Sequence, residues 1–246
     1  REDTIFYFTT CGWMMWNWMV SALAQSSAIV AYDGAVHKPS WSHLWKTLEE
    51  RGVTVFGTSP KFLAGCAQAS LVPREEVSLA KLKTVLSTGA PLLEEQFDWV
   101  YQNVKQDLHL ASISGGTDII SCFMLGNPWD PVRRGEIQAA GLGMAVEAWD
   151  SNGKSVVGEK GELVCTQPFP SMPVGFWNDA DGKRYQGAYF DHFTDRGHDV
   201  WHHGDFIEIT PSGGVRVYGR SDATLNPGGV RIGTAEIYRT LESMDP

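Results

Sequence analysis

From Thr4 to Tyr32 the sequence carries no charged side chain. An uncharged run of that length either crosses a bilayer or is buried inside a folded core. Its internal order favours the core. Ile5-Phe6-Tyr7-Phe8-Thr9 is β-branched and aromatic, Gly12 interrupts, and Trp13 to Ala24 fits one buried helix. Gln25-Ser26-Ser27 then breaks the run before Ala28-Ile29-Val30-Ala31-Tyr32 resumes as a strand. Asn17, Ser21 and the Gln-Ser-Ser cluster would be costly in lipid. The segment is therefore expected to be strand–helix–strand, which already demands a layered α/β arrangement.

The next hundred residues keep the same alternation. Ser40 is expected to cap a helix whose Trp41, Leu44, Trp45 and Leu48 share one face. Val53-Thr54-Val55-Phe56 is a short apolar strand, and Ser59-Pro60 opens another helix with proline where it is tolerated. Thr84-Val85-Leu86-Ser87 is a strand; Leu93, Phe97, Val100, Tyr101 and Val104 form a helical stripe; Leu108 to Ile113 closes the series. Strands and helices alternating in this way imply βαβ units and a parallel sheet with flanking helices.

After about Pro131 the pattern changes. Met144–Asp150, Gly161–Thr166, Asp199–His203, Phe206–Thr210 and Val215–Tyr218 are short and strand-like, with Ser151-Asn152-Gly153-Lys154 the clearest hairpin signal. This half is expected to be a small barrel or curled sheet. A helix begins again at Thr234, with Ile237, Leu241 and Met244 on one face. The expected organisation is an α/β subdomain over 1–127, a β-rich subdomain over 128–221 and the start of a further domain over 222–246. The chain begins on Arg1 and ends on Pro246 within that helical pattern, so it reads as a piece of something longer.

Charge narrows the function classes. Among 246 residues, 29 acidic against 20 basic side chains give a net charge of −9. That field repels phosphate backbones and anionic membranes, and no Lys/Arg cluster overrules it, so neither nucleic acid nor membrane is an expected partner. Cys11, Cys66, Cys122 and Cys165 are far apart with no CxxC pair, which disfavours a metal knuckle or redox motif and fits a reducing, cytosolic compartment.

Ligands of open parallel sheets bind beyond the carboxyl ends of the strands. Two loops rich in small residues fall there, Thr88-Gly89-Ala90-Pro91 and Ser114-Gly115-Gly116-Thr117-Asp118. Small residues let backbone amides approach a ligand, and the second loop adds a hydroxyl and a carboxylate suited to a phosphate and its Mg²⁺. Either loop alone is also an ordinary β–α turn. Gly141-Leu142-Gly143 lacks the third glycine of a dinucleotide fingerprint, and Ser114 has Ser112 where a nucleophile elbow needs glycine. His198, His202 and His203 with Asp195, Asp199 and Asp205 have ligand-like composition. Gly197 and Gly204 bracket them, however, and strand alternation sends His202 and His203 to opposite faces, so surface or structural histidines are expected.

The segment from Gly219 to Ile237 stands apart. Arg220 and Arg231 flank a tight Asn226-Pro227-Gly228-Gly229 turn before the final helix, which places cations at hand for an anion. It resembles the junction motif of the adenylate-forming enzymes, the superfamily of acyl-CoA synthetases, luciferases and adenylation domains. His203-Gly204-Asp205 resembles that superfamily's ribose-binding Thr-Gly-Asp, and Ser114-Gly-Gly-Thr117-Asp118 its Tyr-Gly-x-Thr-Glu. Gly89-Ala90-Pro91 resembles its Gly-x-Pro adenine loop. Arg231-Ile-Gly-Thr-Ala-Glu-Ile is closest in wording to the acetyl- and acetoacetyl-CoA synthetase branch, and Cys11-Gly-Trp-Met-Met-Trp-Asn turns the likeness toward its acetoacetate-using members.

The resemblance implies two half-reactions. A carboxylate attacks the α-phosphate of ATP, and the thiol of coenzyme A then displaces AMP. The implied adenosine-binding set is Gly89, Ala90, Pro91, Ser112, Asp205 and Arg220, with Asp205 accepting from both ribose hydroxyls. Thr117 would bond the α-phosphate, Asp118 would hold Mg²⁺, and Arg231 would sit near the α-phosphate and the incoming carboxylate. Asp118 stands where the superfamily has Glu, so ligation through a water is open. Asp222 corresponds to the hinge of the C-terminal domain. Ser114 and Gly115 replace bulky aromatics of the acetate users and leave room for a longer acid such as acetoacetate. Trp13, Met14 and Met15 are the other candidate pocket walls, with plain core packing the alternative. The superfamily's phosphate loop and catalytic lysine would lie before residue 1 and after residue 246, in parts of a parent chain that would be this chain's partners. Three rivals remain: a ligase for another short acid, a non-catalytic adenosine-nucleotide module, and a metal hydrolase built on the histidines.

Overall fold

The computed structural model describes residues 3–194 and 199–221. They divide into two compact units. The first holds the residues up to Ser121 together with Gly126–Gly135; the second holds Cys122–Leu125 and the described residues from Glu136 onward.

The first unit is a parallel sheet with helices, as the alternation requires. Its strands are β1 (Thr4–Tyr7), β2 (Ala28–Val30), β3 (Val55–Thr58), β4 (Thr84–Ser87) and β5 (His109–Ser112), in the order β2-β1-β3-β4-β5. All four pairings are parallel. The uncharged run resolves into β1, α1 (Met14–Ser21), one 3-10 turn over Ala22–Gln25, and β2. No helix among the described residues is long and apolar enough to cross a membrane. The expected single helix over 13–24 is α-helical only to Ser21 and tightens into the 3-10 turn, which Ser26 (φ 59°, left-handed) ends.

Two further boundaries differ from the pattern. Trp41 precedes α2 (His43–Glu50), whose N-cap residue is Ser42 and not the expected Ser40; no side chain makes a capping hydrogen bond there, and the Ser40 and Ser42 hydroxyls lie 2.9 Å apart. β3 starts at Val55, two residues after the expected Val53, and the Thr54 hydroxyl before it donates to Asp3 Oδ1 at 2.8 Å. Ser59 caps α3 (Pro60–Gln68) by accepting from the Phe62 amide at 3.3 Å, with Pro60 at the first turn. The short α4 (Pro73–Glu76) and α5 (Glu94–Asn103) complete the helices of this unit. Leu44, Trp45, Leu48, Phe56, Phe62, Val85, Phe97, Val100 and Leu110 close one continuous core. Burial of each such side chain is worth about 1.5–3 kcal/mol.

Register places a row of hydroxyls at the carboxyl end of this sheet. Thr58 pairs with Ser87 and Ser87 with Ser112, and all three are buried. A three-residue strand, β6 (Ser114–Gly116), follows directly.

The second unit is β-rich and mostly antiparallel. β7 (Ser121–Leu125) pairs with β8 (Ala139–Ala140), Met124 opposite Ala140. β9 (Val146–Trp149), β10 (Ser155–Val156), β11 (Lys160–Cys165), β12 (Trp201–Ile209) and β13 (Val215–Arg220) form a five-stranded sheet in the order β10-β9-β11-β12-β13. It is an open sheet with β10 and β13 at its edges, rather than a barrel. The expected hairpin joins β9 to β10, and Asp150 Oδ1 accepts from the Asn152 and Lys154 amides at 2.9 Å. The two strands expected over 199–203 and 206–210 are one strand, β12; Gly204, with φ 79°, marks an irregularity within it, not a break. The helix α6 (Lys183–Tyr189) has no amphipathic signature in the sequence. It packs by aromatics: Tyr189 stacks on the buried Trp201 at 3.6 Å and 14°, with Phe169 and Phe190 edge-on to the same indole.

Candidate functional site

In the first unit, the expected ligand loops do emerge at the carboxyl ends of β4 and β5. Thr88 follows β4 and donates its hydroxyl to the Ile113 carbonyl at 3.0 Å, tying the start of one loop to the start of the other. Gly89 adopts φ 94°, a conformation that favours glycine. A Cβ there would sit 3.3 Å from the tip of the Trp13 ring, so that indole lies against the Gly89 backbone. Gly89 and Ala90 are exposed and Pro91 is half-buried. Trp13, at the N-cap of α1, is half-buried, whereas Met14 and Met15 are each only 3% exposed.

Ser112 ends β5 and is buried, while Ser114 and Gly115 on β6 are half-buried. Thr117 to Ile120 form a tight turn in which the Ile120 amide donates to the Thr117 carbonyl at 3.4 Å, and Ile120 has φ 47°. The turn leaves Thr117 and Asp118 exposed, with Asp118 Oδ1 accepting from the Ile119 amide at 3.2 Å. An exposed carboxylate next to a hydroxyl suits a phosphate-bound Mg²⁺, which prefers hard oxygen ligands and retains waters.

In the second unit, one irregularity in β12 and one in β13 place Asp205 and Arg220. Against β11, Glu162 pairs with Phe206 and Val164 with His202, so β12 spends three residues where β11 spends one. Those three are His203, Gly204 and Asp205, which the bulge frees from regular pairing. Against β13, Ile207 pairs with Val217 but Phe206 with Gly219, and Asp205 with Arg220. A regular ladder would set Asp205 opposite Gly219; the bulge at Gly219 (φ 113°) moves Arg220 into that place.

The resulting contacts are close. Arg220 Nη1 donates to the His203 carbonyl at 2.9 Å and lies 3.6 Å from Asp205 Oδ1. The Asp205 side chain is 11% exposed and lies 3.9 Å from His203 Nε2. A Cβ on Gly204 would come within 2.7 Å of Arg220 Nη2, so the guanidinium covers a position only glycine leaves open. Arg231 and Asp222 lie outside the described residues.

His202 and His203 do point to opposite faces of β12. His202 meets Glu162 at 3.1 Å, whereas His203 packs edge-on against Phe123 at 4.7 Å. Asp199 is exposed, and Asp195 and His198 lie outside the described residues. Thiols do not compete for a nucleophilic role in either core. Burial raises the Cys66 pKa to about 11 and the Cys122 pKa to about 12, and only Cys11 is exposed. Sequence reasoning missed the support given by Thr88 and the contact of Trp13 with Gly89. The glycine was visible; which ring fills the space beside it depends on packing between α1 and the sheet.

The AMP-binding enzyme family matches residues 1–175. The chain belongs to that family. Among curated AMP-binding relatives, it is 56% identical over 243 residues to an acetoacetyl-coenzyme A synthetase of Rhizobium meliloti (strain 1021), covering 99% of this chain and 37% of that protein. It is 51% identical over 245 residues to the acetoacetyl-CoA synthetase of Gallus gallus, covering 99% and 36%. The solved acetoacetyl-CoA synthetase from Streptomyces lividans superposes with a TM-score of 0.90 at 43% identity, over 99% of this chain and 37% of that one. The chain thus spans little more than a third of the length of these relatives.

Proposed function

We propose that this chain carries the adenosine- and acyl-binding parts of an acid–thiol ligase that activates acetoacetate with ATP and passes the acyl group to coenzyme A. The observation that carries the reading is the Asp205–Arg220 pair held over Gly204, in a chain 56% identical to an acetoacetyl-coenzyme A synthetase. In the first half-reaction a carboxylate oxygen of the acid attacks the α-phosphorus and pyrophosphate leaves. In the second, sulfur attacks the acyl carbon and AMP leaves. Both pass through crowded negative charge, so positioning and electrostatic stabilisation are the main demands.

Asp205 accepts from the ribose hydroxyls, and Arg220 fixes that carboxylate while offering its remaining donors to ribose and phosphate. Gly89, Ala90 and Pro91 take the adenine, with Ser112 beneath them. Thr117 donates to the α-phosphate. Asp118 holds Mg²⁺, which supplies neutralisation of phosphate charge. Ser114 and Gly115 leave room for acetoacetate, with Trp13, Met14 and Met15 as further walls. Arg231 and Asp222 enter on resemblance alone, as phosphate contact and hinge, within the organisation 1–127, 128–221 and 222–246. The compartment is the cytosol, and the chain alone does not complete ligation.

Calorimetric titration with ATP·Mg²⁺ and with AMP tests the core of this reading. Binding is expected, and Asp205→Ala should weaken it by roughly 10–100-fold, the loss of a charged hydrogen bond. A folded chain that binds neither nucleotide contradicts it. In a full-length protein containing this sequence, acetoacetate should be turned over in preference to acetate and butyrate; equal use of acetate overturns the acid assignment. Acetoacetyl-CoA formation by the 246-residue chain alone would sink the claim that it cannot complete ligation.

A further inference from the structure

On the face of the antiparallel sheet away from Asp205, three groups that no part of the ligase reading uses come together. Glu162 projects from β11, His202 from β12, and His192 from the turn after α6. Their ligand atoms all lie within 4.8 Å of one another. The Glu162 side chain is 6% exposed, and its Oε2 is 3.1 Å from His202 Nε2; the His202 side chain is 15% exposed. The exposed imidazole of His192 lies flat on that of His202, ring centroids 3.9 Å apart at 11°.

Two features of this trio bear on ligand chemistry. A carboxylate so deeply buried needs a compensating positive charge. Two imidazoles with one carboxylate form a donor set that suits borderline divalent transition ions and not Mg²⁺ or Ca²⁺, which favour oxygen. Parallel rings cannot both aim nitrogens at one ion. One ligand atom of His192 already lies within 4.8 Å of those of Glu162 and His202, and its exposed ring must turn out of the stack for both imidazoles to bind the same ion.

The geometry points to a binding site for one Zn²⁺-like ion formed by Glu162, His202 and His192, with remaining positions open to water. The ion clamps the turn after α6 to β11 and β12. It stands independently of nucleotide binding, since Asp205 and His203 lie on the other face of β12.

The test uses the purified 246-residue chain, stripped of metal and titrated with Co²⁺ while its visible d–d absorption is followed. One equivalent is expected to bind, to be displaced by Zn²⁺, and to be unaffected by millimolar Mg²⁺. His192→Asn changes an exposed side chain and should keep the fold by circular dichroism, yet weaken Co²⁺ binding by roughly tenfold or more, since even outer-shell partners count for that much. Glu162→Gln should do the same if it folds, and His109→Asn in the parallel unit should leave binding unchanged. No stoichiometric uptake by the folded chain overturns the site and leaves a hydrogen-bonded Glu–His pair with a stacked ring. Uptake of equal affinity in His192→Asn overturns it as well.

Discussion

The parallel and antiparallel units prepare ligand-binding groups by different means. In the parallel unit, topology alone sets the place: every strand points the same way, so the loops after β4 and β5 emerge side by side at one end. What they offer is backbone and small side chains, with Gly89 in a conformation that favours glycine. In the antiparallel unit, neighbouring strands point opposite ways and no end collects the loops. Asp205 and Arg220 stand opposite each other only because β13 is bulged against β12 between Val217 and Gly219. A parallel sheet thus tolerates sequence change in its strands without moving its ligand loops. The antiparallel pair depends on single residues, above all Gly204 and Gly219.

The largest expected effect probes how the second unit supports its bulged strand. Trp201 begins β12, is 1% exposed, and is ringed by Tyr189, Phe169 and Phe190. Trp201→Ala should destabilise the unit by about 3–5 kcal/mol, as large aromatic truncations do, measured by urea denaturation with near-ultraviolet circular dichroism. An unchanged midpoint would mean that the register of β12 is held by its hydrogen bonds and not by this cluster.

Glycine substitutions sharpen the contrast at the next level. A Cβ on Gly57 of β3 would overlap the Tyr7 ring at 2.0 Å, whereas one on Gly161 of β11 would meet the Trp149 backbone oxygen at 2.6 Å. Either Ala substitution should cost about 1–3 kcal/mol, the usual range for overpacking. The difference appears on combination. Tyr7→Leu should recover part of the loss from Gly57→Ala, because the obstacle is a side chain. No side-chain change at Trp149 should rescue Gly161→Ala, because there the obstacle is backbone. Equal rescue in both would erase the proposed distinction between the sheets.

Gly204→Ala should act on binding more than on folding. Left-handed backbone costs a residue with a Cβ about 1–2 kcal/mol, and the methyl group would displace Arg220. Nucleotide affinity measured by calorimetry should fall with only a modest shift in urea midpoint. A lowered midpoint with unchanged affinity would detach Gly204 from the site.

This contrast also explains what could be read from the chain. Hydrophobic alternation is a local property, so β4 over Thr84–Ser87 and the α3 start at Ser59-Pro60 were legible to the residue. The ligand loops followed from topology. Register is not local: nothing in Phe206 to Arg220 announces that Ile207 pairs with Val217 while Asp205 pairs with Arg220. Gly204 therefore looked like a strand break, and the sequence left open whether the sheet closes into a barrel. The helix α6 was invisible because its contacts are aromatic and non-local. Asp205 and Arg220 were singled out by resemblance to a family motif, and only the bulge in β13 accounts for their standing opposite each other.

The smallest effect is expected at the opposite end of the parallel sheet, where no ligand loop emerges. Asp3 precedes β1; its Oδ1 accepts from Lys83 Nζ at 3.0 Å and from the Thr54 hydroxyl at 2.8 Å, and those two bonds hold its carboxyl below the ordinary value of 3.8. A carboxylate with a depressed folded-state pKa contributes stability that is present above the unfolded value and disappears as pH falls through the folded one. Both Lys83 and Asp3 are substantially exposed, at 65% and 42%, so solvent screens the pair and its contribution is small. Asp3→Asn should accordingly lower the urea midpoint slightly between pH 5 and 7, with variant and parent converging as the pH drops below about 3.8. Nucleotide affinity should be untouched, because amino-terminal strand ends serve stability while the carboxyl ends serve ligands. A drop in affinity from Asp3→Asn would break that division of labour, and a midpoint difference persisting at pH 2.5 would show that the loss came from the Thr54 hydrogen bond and not from charge.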